Sequence, residues 1–140
     1  MAGRFKWYGR QVSDDVNDEL RKALAKAALI VQKEAKRNLS KPGKGKKHRG
    51  LNYRSSKPGD SPAVQTGHLR RSVQVDTSKL KGKRPSVRVG TNLKYGAWLE
   101  YGTRWIAMRP WFRPAVFKSQ KKLAKLIEGR LRGVLKRGKR

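Results

Sequence analysis

The sequence has few acidic residues and no cysteine. Nine Asp and Glu stand against 37 Lys and Arg, which gives the 140-residue chain a formal net charge of +28. The absence of cysteine excludes disulfides and thiolate metal sites, so stability has to come from packing or from association. Such an excess of positive charge repels itself unless something negative neutralises it, which points to nucleic acid or to acidic proteins as partners.

Long apolar runs are also missing. No run approaches the roughly 18 to 20 residues that a membrane-spanning helix needs, and the N-terminus lacks the apolar core of a signal peptide. We therefore expect synthesis in the cytoplasm and no membrane partner. Hydrophobic residues still make up 36% of the chain and cluster in periodic runs. Length and pattern together predict a single folded domain over residues 1–140.

The first part of the chain predicts one long helix and a basic loop. Residues 1–12 mix aromatic and basic residues with glycine, which favours a short strand or an arm. A helix is predicted from Ser13 to about residue 39, because the acidic residues after Ser13 suit a helix N-terminus. Residues 40–62 are rich in Pro, Gly and bases, which predicts a flexible loop that cannot fold on itself. The predicted buried stripe of the helix is Val16, Leu20, Leu24, Ala27, Val31 and Ala35.

The second part of the chain predicts a hairpin. Residues from Thr66 onward indicate a short helical turn that leads into a strand over residues 72–76. Residues 85–91 alternate between apolar and polar side chains like an antiparallel partner of that strand. The Gly- and Lys-rich segment between the two strands is typical of a hairpin connection.

Three further elements complete the predicted fold. Residues 95–101 favour a short helix that ends at Gly102, and residues 104–108 favour a third strand. A closing helix is predicted from about residue 111 to about residue 135, with a basic C-terminal tail beyond it. The predicted class is therefore α+β, with a long N-terminal amphipathic helix and a C-terminal helix packed on a small, mainly antiparallel sheet.

Catalytic and metal sites lack the residues they need. The two histidines, His48 and His68, have no cysteine or carboxylate pair beside them, which disfavours a metal site or a nucleophile–base pair. The stretch GKGKKHRG lacks the Lys and Ser or Thr that would complete a phosphate-binding loop. Glu34 and Lys36 imitate half of a nuclease signature, but residues two apart on a helix point away from each other. We expect no enzyme activity, no cofactor and no metal.

Two basic segments remain as candidate contact sites. The last 23 residues carry many bases, partly as the polar face of the closing helix. In the loop the bases stand among Gly and Pro, a composition typical of segments that become ordered on an anionic partner, although a solvated loop explains it equally well. The candidate contacts to an anion, DNA or a protein partner are Lys41, Lys44, Lys46, Lys47, Arg49, Arg54 and Lys57.

Glu100 is the only carboxylate between Asp76 and Glu128, and it stands among aromatic residues in the stretch YGAWLEYGT. A buried carboxylate needs a partner, because removing a charge from water costs several kcal/mol. We expect Gly102 to end the preceding helix in a left-handed turn and to aim Thr103 into the next strand. The stretch is then a structural corner. The candidate cation partners of the carboxylate are Arg70, Arg104 and Arg109.

Three short signatures occur in order: TGHLRRSV at 66–73, YGAWLEYGT at 95–103 and RPWFRPA at 109–115. Set between two amphipathic helices, they resemble the tailed-phage neck family of gene-product-ten-like, or tail-completion, proteins. The resemblance covers roughly residues 13–135. The positions that match the family pattern are Thr66, Gly67, Leu69, Arg70, Ser72, Tyr95, Gly96, Glu100, Gly102, Thr103, Arg109, Pro110, Pro114 and Ala115.

The resemblance implies a virion component without catalysis. Such a subunit would be made in the host cytoplasm and assemble as a homo-oligomeric ring, a hexamer, in the phage neck. Its partners would be neighbouring neck, connector and tail-terminator or tail-tube proteins, with non-specific contact to packaged DNA as a further candidate. The residues themselves leave a second class open, a non-enzymatic nucleic-acid binder of the ribosomal type. Its aromatic residues would stack on bases across an open sheet face and would not lie at subunit contacts.

Overall fold

The computed structural model describes residues 9–50 and 52–137 of the chain. The α+β class is confirmed, and the described residues are mostly helical. The elements in chain order are α1 (Gly9–Asn38), α2 (His68–Ser72), β1 (Gln74–Asp76), β2 (Arg88–Gly90), α3 (Lys94–Tyr101) and α4 (Arg113–Arg137).

The two long helices, α1 and α4, run antiparallel and pack along each other. At one end Asn38 Nδ2 donates a hydrogen bond to the carbonyl oxygen of Trp111 over 2.9 Å. At the other end Arg130 forms an ion pair with Glu19 over 3.0 Å. The predicted stripe of α1 faces inward, with its alanines and Val31 buried along the later turns. Small buried residues let two helices approach closely.

The sheet is a two-stranded antiparallel hairpin, as the alternating pattern predicts. Gln74 lies opposite Gly90, and Asp76 lies opposite Arg88. The hairpin is held against α1, because Gln32 Nε2 donates a hydrogen bond to the carbonyl oxygen of Val73 over 2.9 Å. Each strand has only three residues, so the hairpin is an attachment to the helix pair and offers little open sheet surface.

The start of α1 differs from the prediction. The helix already includes residues 9–12, so the strand or arm expected there is wrong for these residues, and residues 1–8 lie outside the described part of the chain. Val12 precedes Val16 by four residues, so the helical period extends upstream of Ser13. In consequence no acidic residue lies in the first turn of α1. Because the predicted helix start at Ser13 is wrong, the predicted interaction of these acidic residues with the helix N-terminus is wrong as well.

The third strand predicted over residues 104–108 is also wrong. The hydroxyl of Thr103 accepts hydrogen bonds from the backbone N–H groups of Trp105 and Ile106, over 3.3 and 3.1 Å. The N–H of Thr103 donates in turn to the carbonyl oxygen of Ile106 over 2.8 Å. A threonine side chain that bonds to its own following backbone makes a turn, and this turn spans residues 103–106.

The hydrophobic core lies where the end of α1 meets the start of α4. α2 and the first residue after it close this core from one side, and α3 approaches it through Leu99. None of the described helices is long and apolar enough to cross a membrane. The buried core residues are Ala35, Leu39, Leu69, Val73, Trp111 and Ala115.

Candidate functional site

Glu100 binds the start of α4 through backbone groups. Its side chain is buried, and Oε2 accepts hydrogen bonds from the N–H groups of Trp111 and Phe112, each over 2.8 Å. Oε1 accepts a third from the N–H of Arg113 over 2.9 Å. These N–H groups precede or begin the helix and have no partner within it. The carboxylate therefore satisfies three donors where the helix dipole favours negative charge.

This geometry corrects the predicted cation partner of Glu100. Arg70 donates to the hydroxyl of Ser40, and the guanidinium of Arg109 donates to the carbonyl oxygens of Ser56 and Ala107. The Arg104 guanidinium lies over the ring of Trp105, 5.0 Å from its centroid. The nearest cation is instead Arg113, whose Nε lies 3.9 Å from Oε1. The predicted corner stands, but backbone N–H groups hold it.

Two prolines flank the three donors. Pro110 comes directly before Trp111, and Pro114 directly after Arg113. Proline has no N–H group and fixes φ near the helical value, which suits the first turn of a helix. Pro114 therefore leaves no unpaired donor beside the carboxylate. The RPWFRPA signature is thus a helix start shaped to receive Glu100.

The rest of the YGAWLEYGT signature fixes α3 against the core. The indole Nε1 of Trp111 donates to the carbonyl oxygen of Gly96 over 3.0 Å. A Cβ at Gly96 would lie 2.7 Å from Thr91 Cγ2 and 3.0 Å from Leu69 Cδ1, so only glycine allows this approach. Gly102 ends the helix as predicted and has a positive φ of +76°, but its ψ of 169° lies outside the left-handed helical conformation that was expected.

The first signature lines a cleft together with residues from the other two. Gly67 has a φ of +70° and precedes α2. The hydroxyl of Ser72 lies 2.6 Å from that of Thr91, which ties the end of α2 to the segment after β2. The cleft has a volume of about 360 Å³. The signature residues among those that line it are Thr66, Gly67, Leu69, Arg70, Tyr95 and Arg109.

The outward side of α3 exposes large aromatic side chains. Trp98 is 50% exposed and Tyr101 69%, and they follow Tyr95 at intervals of three residues, which places all three on one side of the helix. The segment after α3 adds Trp105, which is 84% exposed, and Met108. We call these five residues the α3 aromatic surface. Contiguous exposed apolar side chains of this kind are typical of interaction sites.

Basic side chains accompany the α3 aromatic surface. The guanidinium of Arg113 lies 5.2 Å from the ring centroid of Tyr101, and that of Arg104 covers Trp105. Lys94 begins the helix and is exposed. Glu100, the one carboxylate of this region, is buried and turned away. The surface is therefore both apolar and positively charged.

The basic loop folds back on itself, contrary to prediction. Lys47 and Arg54 form an antiparallel bridge, and the N–H of Gly45 donates to the carbonyl oxygen of Ser55 over 2.7 Å. Gly43 allows the two arms to meet, since a Cβ there would overlap the carbonyl of Arg54. Its seven candidate contact residues are all exposed, and none forms an ion pair with a described residue.

The described residues offer several exposed contact surfaces. Within residues 9–50 and 52–137, no cluster of His, Asp and Glu could hold a metal ion. The carboxylate held most firmly, Glu100, is occupied by backbone donors. The cleft, the α3 aromatic surface and the basic loop are the candidate contact surfaces of the described residues.

The comparison with known families identifies it further. Residues 4–102 match the model of the HK97-gp10-like family, described as "Bacteriophage HK97-gp10, putative tail-component". The chain belongs to this family, which is one of phage tail components, and its role is therefore structural. No curated protein and no solved structure matches the chain. The match includes the first signature and most of the second, whereas the RPWFRPA signature and α4 lie beyond its end.

Proposed function

We propose that the protein is a tail-completion subunit that forms a ring, a hexamer, in the phage neck between the connector and the tail tube. It acts there without catalysis, after synthesis in the host cytoplasm. Membership of a phage tail-component family supports this role. The observation that carries the ring is the α3 aromatic surface, because exposed tryptophan and tyrosine beside arginine are the residues that dominate protein contacts.

Charge sets a condition on this assembly. Six copies carry a formal charge of 6 × 28 = +168, and neighbouring copies in a ring touch, well within the Debye length of about 8 Å at physiological salt. Like charges then oppose closure at low salt. The ring needs a negative partner or screening by salt.

Two kinds of partner could supply the negative charge. Packaged DNA in the channel would release counterions when Lys and Arg bind its phosphates. Acidic surfaces on neighbouring neck, connector and tail-terminator or tail-tube proteins would act through complementary charge. We assign this contact to the basic loop, whose Lys41–Lys57 bases are all exposed and make no ion pair with the described residues.

The second candidate function is a non-enzymatic nucleic-acid binder, which the net charge favours. A binder of the ribosomal type would present aromatic side chains beside bases on an open sheet face. The sheet in the described residues has two strands of three residues. Trp98 and Tyr101 lie on a helix and Trp105 in a turn. This placement favours protein contacts over base stacking.

Sedimentation of the pure protein across a salt series, with and without duplex DNA of unrelated sequences, tests the proposal. We expect monomers or loose associations at low salt, and a closed ring when salt is raised or a tail-end partner is added. Native mass spectrometry and negative-stain images then count the subunits. Sequence-independent DNA binding that weakens steeply with salt would identify DNA as the neutralising partner. Absence of any ring under all these conditions would refute the proposal.

A further inference from the structure

Only some of the acidic residues near the start of α1 are paired within the subunit. Four of the nine carboxylates of the chain lie between Asp14 and Glu19. Because α1 already includes Gly9, they lie beyond its first turn, where the helix dipole no longer favours them. Glu19 is paired with Lys22 and Arg130. Asp14 and Asp15 form no ion pair with a described residue.

These carboxylates also repel one another. Asp14 and Asp18 are four residues apart, and Asp15 and Asp18 are three apart, spacings at which like charges destabilise a helix. Asp18 is bridged by Arg21 over 2.9 Å, yet its side chain remains largely exposed. We call Asp14, Asp15 and Asp18 the α1 acidic patch. In a chain with so few acids, a repelling cluster at one exposed place calls for a positive partner.

The α1 acidic patch cannot reach the α3 aromatic surface of its own subunit. Ala35 belongs to the core that Trp111 shares, so the later turns of α1 lie near α3. Twenty residues of helix separate Asp15 from Ala35, which corresponds to about 30 Å at 1.5 Å per residue. The two surfaces therefore lie toward opposite ends of the helix pair. Any contact between them has to join two molecules.

We propose that the ring is built head to tail, with the α3 aromatic surface of one copy seated on the α1 acidic patch of the next. This inference rests on the ring proposed above and names its contact. The basic residues beside the aromatic rings, Arg104 and Lys94, face the carboxylates of the neighbour. The aromatic side chains cover the apolar part of the contact.

A contact between two different surfaces of neighbouring copies suits the charges of the α3 aromatic surface better than a symmetric contact does. Two α3 aromatic surfaces placed face to face would bring Lys94, Arg104 and Arg113 against their own counterparts, and like charges in contact cost several kcal/mol. A contact between two different surfaces of the same chain repeats from copy to copy. Such a contact closes into a ring when its rotation permits. The complementary charges thus favour the architecture that the proposed function requires.

Two variants, each altered on one surface, test the contact. The head variant, Trp98→Ser/Arg104→Ser, removes the aromatic and positive character of the α3 surface without adding a negative charge that could pair with the tail variant. The tail variant, Asp14→Arg/Asp15→Arg, reverses the acidic patch. All changed side chains are exposed, and circular dichroism with thermal unfolding checks that both variants fold. A matched control, Asp76→Arg, makes the same kind of charge reversal at an exposed carboxylate on the hairpin, away from both surfaces.

Sedimentation velocity under the conditions in which the wild type assembles gives the decisive result. We expect each variant alone to self-associate at least about tenfold more weakly, whereas the control assembles like the wild type. An equimolar mixture of the two variants should form a discrete 1:1 dimer. Its single intact contact joins the acidic patch of the head variant to the aromatic surface of the tail variant. Neither remaining surface can then extend the assembly.

Cross-linking gives a second readout that does not require tight binding. The chain has no cysteine, so Asp15→Cys and Trp98→Cys introduce unique thiols. With a short bismaleimide, the mixture of these two variants should yield a dimer. A chain that carries both thiols should yield a ladder up to the ring size. Each single-thiol variant alone should remain uncross-linked.

The outcomes separate this inference from the proposed function. If the wild type forms rings and both surface variants form them equally well, the head-to-tail contact is wrong while the ring stands. Dimers of the tail variant alone, or of Trp98→Cys alone, would reveal a symmetric aromatic contact and overturn the inference. The inference is also overturned if the head variant assembles normally and loses only its binding to DNA or to another neck protein. If the wild type forms neither rings nor cross-links, the ring and its contact both fall.

Discussion

The inner and outer faces of α3 differ although they share eight residues. On the inner face Glu100 accepts hydrogen bonds from three backbone donors, and the carbonyl of Gly96 accepts one from Trp111. On the outer face Trp98 and Tyr101 stand exposed. The inner residues are required by the subunit's own packing. The outer residues have no comparable internal role, so their chemistry reflects what the subunit meets during assembly.

The largest loss of stability is expected at Glu100. Glu100→Gln keeps one acceptor oxygen but turns an amide N–H₂ toward a backbone N–H, so a buried donor is left without a partner. We expect the free energy of unfolding to fall by about 2–4 kcal/mol. Urea and thermal unfolding of the variant measure it. An unchanged midpoint would mean that the three N–H groups are satisfied in some other way and that the inner face is not special.

The next largest effect is expected at Gly96. Gly96→Leu would force a side chain against Leu69 and Thr91 and displace α3 from the core, at a cost of about 1–3 kcal/mol. Ala97→Leu is the matched control, because Ala97 is exposed on the same helix. The control should unfold at the wild-type midpoint. An equal loss of unfolding free energy in both variants would show that the exposed face of α3 accepts a larger side chain no better than the buried face does.

A smaller, pH-dependent effect is expected at Glu19. The hydrogen bond from Arg130, and then that from Lys22, lowers the pKa of Glu19 below its ordinary value of 4.5. A lowered folded-state pKa gives stability that is present above pH 4.5 and is lost as pH falls through the folded-state value. Glu19→Gln should therefore lower the melting temperature slightly at pH 7, and the difference from the wild type should shrink as the pH falls below 4.5. A difference that does not change with pH would assign the effect to packing.

The smallest effect on stability is expected on the outer face. Trp98→Ser/Trp105→Ser should change the free energy of unfolding by no more than about 0.5 kcal/mol, because both side chains are largely exposed. The same variant should still assemble poorly. Unfolding and sedimentation on one preparation test both statements. A marked loss of stability would erase the distinction between the two faces.

The role of Glu100 could be predicted from the sequence only in part. Its isolation among bases and aromatics correctly indicated a buried corner. The partner was wrong, because a sequence displays charged side chains but not the backbone N–H groups that a helix start leaves free. Pro110 and Pro114 carried that information, since prolines mark helix starts. The sequence does not show, however, that α3 lies beside the start of α4, so it does not connect these prolines with Glu100.

Other elements show the same limit. The helical period fixed α1 through Val31 and Ala35, but Val12 extends it beyond the N-cap suggested by Ser13. Residues 104–108 were predicted to form a strand, whereas the Thr103 hydroxyl makes a turn at the start of this segment. The exposure of Trp98 could not be predicted, because α3 carries apolar residues on both sides. Which side is buried depends on Trp111 and Leu69, which lie far away in the sequence.

The contact of Glu100 with three peptide groups has a consequence for sequence drift. A carboxylate that binds main-chain N–H groups does not sense which side chains those residues carry, so the Glu100 hydrogen bonds themselves do not restrict Phe112 or Arg113, and only the other contacts of these side chains do. Proline at either position is the exception, because it would delete a donor. The family match ends at residue 102, two residues beyond Glu100. A different C-terminal helix could therefore follow α3 only if it begins with the same three free N–H groups and also supplies the core contacts that Trp111 and Ala115 make here.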